Sequence, residues 1–152
     1  MNFTKQILAS ICISSAVFLA SCSQQTPQEK LDEAITLFQN QDSARAVLKL
    51  ADISKNHPED RAADEANLIL AQHYARIGNA DKSLEYLDKV IANNDVGTEA
   101  HTTAIDGKAA ILAQIGDLEQ VETILNEQIE ANEGRHPERV LDYKVRLGLL
   151  HL

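Results

Sequence analysis

Tryptophan is absent from this 152-residue chain, aromatic residues make up only 4% of it, and it holds three prolines, six glycines and two cysteines. With so little proline and 44% of residues hydrophobic, a disordered chain is not expected. Two cysteines cannot build the disulfide framework that holds small secreted folds together. Long hydrophobic runs are missing as well. The apolar run Ile7 to Leu19 has 13 residues, against the roughly 20 that a membrane-crossing helix needs. Positive charge is scarce: 14 Lys and Arg face 23 Asp and Glu, for a net charge of −9. A surface of that sign repels nucleic acid and anionic lipid headgroups, so neither is expected as a partner. Signatures of catalysis are equally lacking. The five histidines (His57, His73, His101, His136 and His151) show no HExxH or HxH spacing, and there is no GxSxG elbow, Walker loop or GxGxxG turn. Acid pairs such as Glu59-Asp60 and Asp64-Glu65 fall at expected helix starts, where they complement the helix dipole. No catalytic residue, metal or cofactor is expected, and the chain is read as a non-enzyme. What remains abundant is aliphatic: 44% of residues are hydrophobic, with the Ala, Leu and Ile content of closely packed helices.

The apolar run follows a short segment, Asn2 to Lys5, with one positive charge. This layout fits a secretory signal, whose apolar region spans about 7 to 15 residues. At its end, Leu19-Ala20-Ser21-Cys22 resembles the lipobox of bacterial lipoprotein signals. The resemblance implies that residues 1–21 are removed as a signal peptide and that Cys22 is lipidated, palmitate being among its acyl chains. Three chains hold far better than one, at roughly 0.8 kcal/mol per buried methylene. Cys12 then leaves with the signal, so no disulfide can form within the mature chain. Ser23 stands where an aspartate would signal inner-membrane retention. A lipoprotein of the cell envelope is expected, on the periplasmic side of the outer membrane if the source has two membranes. Residues 22–28 are the lipidated cysteine and a polar tether, SQQTPQ, reaching about 20 Å at roughly 3.3 Å per residue. Loss of Lys5 leaves the mature chain with 13 basic and 23 acidic residues.

From residue 29 to 152 the apolar spacing is helical, with stop signals at regular intervals. Three windows superpose without gaps: LFQNQDSARAVLKL (37–50), YARIGNADKSLEYL (74–87) and LAQIGDLEQVETIL (112–125). Each begins with a large apolar residue (Leu37, Tyr74, Leu112) and has a turn residue four positions on (Gln41, Gly78, Gly116). A small residue follows at nine (Ala46, Ser83, Val121) and a leucine at thirteen (Leu50, Leu87, Leu125). The pattern resembles the tetratricopeptide repeat, a helix-turn-helix unit of 34 residues, and Pro58 stands where that family's proline closes the first repeat. The turns here are 37 and 38 residues apart, the loops HPEDRAAD and NDVGTEA running long. The family's tryptophan is missing and Gln41 replaces its turn glycine. The resemblance implies an all-α solenoid of about three repeats plus a C-terminal seventh helix. In that last helix Leu147-Gly148 matches the family's leucine and small-residue pair. Either it caps the stack, or the crowding of Val145, Leu147, Leu149, Leu150 and Leu152 marks a strip that pairs with another chain, making a homo-oligomer.

In this family the first helix of each repeat lines a groove for a protein or peptide partner. The resemblance puts Leu31, Ile35 and Phe38 there in the first repeat, Leu68, Gln72 and Arg76 in the second, and Asp106, Ala110 and Gln114 in the third. The lysines and asparagines of the family's carboxylate clamp are missing from these places. The expected function is a membrane-anchored scaffold or adaptor for protein–protein interaction in the envelope. The alternative is the N-terminal repeat portion of a longer exported enzyme, thioredoxin-like or a peptidase.

Overall fold

The computed structural model describes residues 25–150. The expected signal segment, residues 1–21, and Cys22 and Leu152 lie outside the described residues. Among these the chain is all-helical, with seven helices: α1 (Pro27–Gln39), α2 (Ser43–Asn56), α3 (Arg61–Arg76), α4 (Ala80–Asn93), α5 (Glu99–Ile115), α6 (Leu118–Asn132) and α7 (Pro137–Leu150).

Short polar residues fix the helix starts. Thr26, Asp42, Asp60, Asn79, Thr98 and Asp117 each accept a hydrogen bond from a backbone N–H of the turn they precede, a cap worth about 1 kcal/mol. Thr26 and Glu29 complete a capping box and Pro27 takes the first helical position. Two backbone donors are thereby satisfied and one φ is preset. The expected tether of 22–28 therefore gives up Pro27 and Gln28 to α1.

The turns inside the three helix hairpins are copies of one another. Gln41, Gly78 and Gly116 have φ of 63°, 77° and 82°, and Gln41 is the one non-glycine with positive φ among the described residues. In each turn the next residue's N–H reaches back to the carbonyl of Leu37, Tyr74 or Leu112, at 2.8–2.9 Å. The left-handed residue itself donates to Phe38, Ala75 or Ala113. This pair of bonds is the Schellman closure. Asp42, Asn79 and Asp117, one residue on, immediately cap the following helix. One short segment thus ends a helix and begins its partner.

Each helix packs against its neighbour in the chain, and α3 also touches α1 and α5. The core runs along the stack as three clusters. The first joins Leu31, Ala34, Leu50, Ile53 and Leu70; the second centres on Leu87, Val90 and Ala104; the third holds Ile105, Leu112, Leu125 and Tyr143. Tyr86 packs on the first two and Ile91 on the last two, so the clusters are continuous. Alanines at 34, 46, 62, 63, 66 and 71 are buried, which lets helix backbones approach where larger side chains would hold them apart.

Helix α7 closes the described stack. Tyr143 is 2% exposed and joins the third cluster, and Leu147 and Leu150 pack on it in part. Arg146 bridges to Asp106 of α5 at 2.7 Å and to Asp142 at 2.8 Å. The apolar tail thus finds cover within the chain on one side. On the other, Leu141, Val145 and Leu149 form an exposed stripe at four-residue spacing.

His101 lies buried near the start of α5. Burial, and secondarily the Arg139 guanidinium, hold its imidazole below the ordinary value; His73 is lowered by burial and then by Arg76. An unfolded chain takes up these protons near pH 6.5, whereas the folded protein resists them. Stability is therefore full above that pH and falls as pH drops toward the lowered folded values. Thermal midpoints are expected to decline between about pH 7 and 5, and a His73→Gln/His101→Gln variant should flatten the decline. An equally steep decline in that variant would refute the assignment.

Candidate functional site

Three open chambers join end to end across α3. The central one, about 430 Å³, is lined from α3 by Leu68, Ile69 and Gln72, from α4 by Ser83 and Leu87, and from α5 by Thr103, Gly107 and Ala110. A second chamber of about 460 Å³ shares Ile69 and Gln72 and continues between α1 and α3 past Ile35, Phe38, His73 and Arg76. A third of about 670 Å³ shares Glu65, Leu68 and Thr103 with the centre and opens at the other end, between Glu59, Asp64 and Glu99. The shared residues make one trough.

Helix periodicity explains which side chains line it. On α3, Arg61, Glu65, Leu68, Gln72 and Arg76 recur at three- and four-residue spacing and so lie on one face; on α5, Glu99, Thr103, Gly107 and Ala110 do the same. A Cβ at Gly107 would lie 3.1 Å from Leu87 Cδ2, a tight contact, so glycine lets α5 settle closely on α4 beside the trough.

Charge is ordered along the trough. Glu59, Asp64, Glu65 and Glu99 gather at one mouth with Arg61 as the cation among its lining residues, and no salt bridge among the described residues neutralises them. Asp64 accepts from Asn94 Nδ2 at 2.9 Å through one oxygen, while its buried Oδ1 has no hydrogen-bond partner. The far end has no carboxylate in its lining and carries Arg76, whose guanidinium lies 3.5 Å from His73 Nδ1. The His73 ring in turn packs against Phe38, with centroids 5.5 Å apart. This order is also what α3 prefers as a helix, with acid in its first turn and His73 and Arg76 in its last.

Of the residues that the family resemblance points to, Ile35, Phe38, Gln72 and Arg76 meet in one chamber, and Leu68, Gln72 and Ala110 in the next. Leu31 does not belong with them. It is wholly buried and packs with Ala62, Ala63 and Ala66 of α3, so no ligand reaches it. Asp106 is also elsewhere: on α5 it takes the position that Leu68 has on α3, but its neighbour is α7, where Arg146 binds its carboxylate. Gln114 is exposed on α5 and lines none of the three chambers. The four carboxylates of the mouth, together with Ile69, His73, Thr103 and Gly107, are lining residues to which the resemblance does not point. The three- and four-residue spacing around Leu68 and Gln72 is the sequence signal that reaches Glu65, Ile69 and Arg61.

Among the described residues no group of three or more His, Cys, Asp or Glu could hold a metal ion, and no helix is long and apolar enough to cross a membrane. No protein-family model matches the chain, and no curated protein matches it.

Proposed function

We propose that the chain is a lipid-anchored scaffold of the bacterial cell envelope, binding a protein or peptide segment in the trough and carrying out no chemistry itself. In this reading its fold is a tetratricopeptide-type solenoid of about three repeats, with α7 as the first helix of a fourth unit. The repeat reading is supported by the three matching Schellman turns at Gln41, Gly78 and Gly116, which share their bonding partners position by position. The envelope and lipid reading is supported by the lipobox at Leu19 to Cys22.

The observation that carries the binding role is the central chamber. Its walls are small and aliphatic, from Leu68, Ile69, Ala75, Leu87, Ala110 and Ile111, and the exposed Gln72 supplies an amide to the lining. Apolar concavity with a few polar groups is the usual form of a recognition site. A photo-crosslinking residue at Gln72 should trap a discrete partner in cells expressing the full-length protein. The same residue at Glu119, exposed on α6, should not. Ala110→Trp fills the central chamber and is expected to abolish the Gln72 adduct while leaving the thermal midpoint within a few degrees. An adduct that survives Ala110→Trp, or appears equally at Glu119, counts against the trough as the binding surface.

A further inference from the structure

From the charge order of the trough we infer that its occupant is a short apolar segment with lysine or arginine at one end, held in one orientation with that end over the carboxylate mouth. The inference rests on the trough being the binding surface and adds the chemistry of what fills it. Four carboxylates and one guanidinium line the mouth, no described salt bridge consumes them, and Asp64 Oδ1 is buried there without a hydrogen-bond partner. A cation arriving at this mouth meets excess negative charge that no ion pair among the described residues offsets, and is attracted there. The other end repels the same cation, because Arg76 stands there without a carboxylate beside it. Reversing the segment would place lysine against Arg76 and leave the mouth uncompensated. The middle accepts small aliphatic side chains, because Gly107 and Ala110 leave room and Leu68 and Leu87 supply the walls. Length follows from α3, whose 16 residues span about 24 Å at 1.5 Å per residue. An extended segment of about seven residues covers that distance. The net negative charge of the whole chain draws such a segment in at long range and weakens its hold as salt rises.

The test uses the full chain in nanodiscs of zwitterionic lipid and fluorescence anisotropy with labelled, end-blocked heptapeptides. All share an Ala-Leu-Ala-Leu-Ala core. Two lysines, two glutamines or two glutamates are added at either the amino or the carboxyl end. One lysine placement is expected to bind about tenfold more tightly than its glutamine counterpart, a ratio that a few partly exposed charge pairs can supply, and the glutamate peptides more weakly still. Glu59→Gln/Glu65→Gln should erase the lysine advantage and leave the glutamine peptides unaffected, with an unchanged thermal midpoint showing that the fold persists. Glutamine peptides binding as tightly as lysine peptides would overturn the charge assignment and leave the trough reading standing. Absence of binding by every peptide, with Ala110→Trp indistinguishable from wild type, would overturn both.

Discussion

Ser83→Leu is expected to lower the free energy of unfolding by about 1–3 kcal/mol through overpacking, and by about 1 kcal/mol more through a lost hydrogen bond. Ser83 sits on α4 where it meets α3. It is 1% exposed, and its hydroxyl donates to the carbonyl of Ala71 at 2.9 Å. That bond satisfies the hydroxyl and holds the two helices close. A leucine adds three carbons and removes the donor. Although Ser83 borders the central chamber, its surface is almost wholly covered, so the added carbons must displace the helices or their side chains. Ala46, fully buried, occupies the same place in the first hairpin. Ser83→Ala should therefore lose only the hydrogen bond and stay within about 1 kcal/mol of wild type. Urea unfolding of the full chain separates the two, since a change in midpoint at constant slope reports stability alone. A midpoint for Ser83→Leu equal to wild type would mean that α3 and α4 do not meet closely there, and would sink the repeat register.

That register is legible in the sequence because it rests on local chemistry. Spacing alone makes the turn residues at 41, 78 and 116 equivalent, and each adopts a left-handed φ, although Gln41 lacks the freedom of glycine. Burial at the ninth and thirteenth positions follows too: Ala46, Ser83 and Val121, and Leu50, Leu87 and Leu125, are all under 5% exposed. The start of α1 is equally local. Thr26, Pro27 and Glu29 spell a capped helix start, yet the polar run around them reads as tether because it follows the expected lipidated cysteine.

The trough is less legible, because the rotation of a helix toward its neighbours is a tertiary property. A repeat alignment treats Leu31, Leu68 and Asp106 as equivalent. In the fold each looks toward the next first helix, and what it meets differs. Leu31 meets alanines of α3 and is sealed off; Leu68 meets the more open α5 and borders the trough; Asp106 meets Arg146 of α7 and is neutralised. The same position therefore gives core, cleft and ion pair in successive units. The carboxylate mouth is hidden for another reason. Glu59 and Glu65 flank one helix start and Glu99 begins another, and nothing short of the packing of α3 against α5 brings them together.

Cys22→Ala should abolish lipid labelling altogether. The expectation follows from the resemblance of Leu19 to Cys22 to a lipobox and rests on the proposed lipid anchor; no helix among the described residues is long and apolar enough to cross a bilayer. In the proposed reading, membrane attachment of the mature protein falls to acyl chains, three of which bury enough methylenes, at roughly 0.8 kcal/mol each, for stable residence. With α1 starting at Pro27, four residues separate Cys22 from it, a reach of about 13 Å at 3.3 Å per residue. In the same proposed reading the amino-terminal end of α1 would thus be held near the membrane surface. In Cys22→Ala the sulfur that takes the first lipid is gone, the signal is expected to stay uncleaved, and its apolar run Ile7 to Leu19 still partitions into lipid. Fractionation alone would therefore mislead. The decisive measurements are incorporation of labelled palmitate, expected to fall to background, and the mass of the amino-terminal fragment, expected to retain residues 1–21. Label undiminished by Cys22→Ala would end the lipoprotein reading.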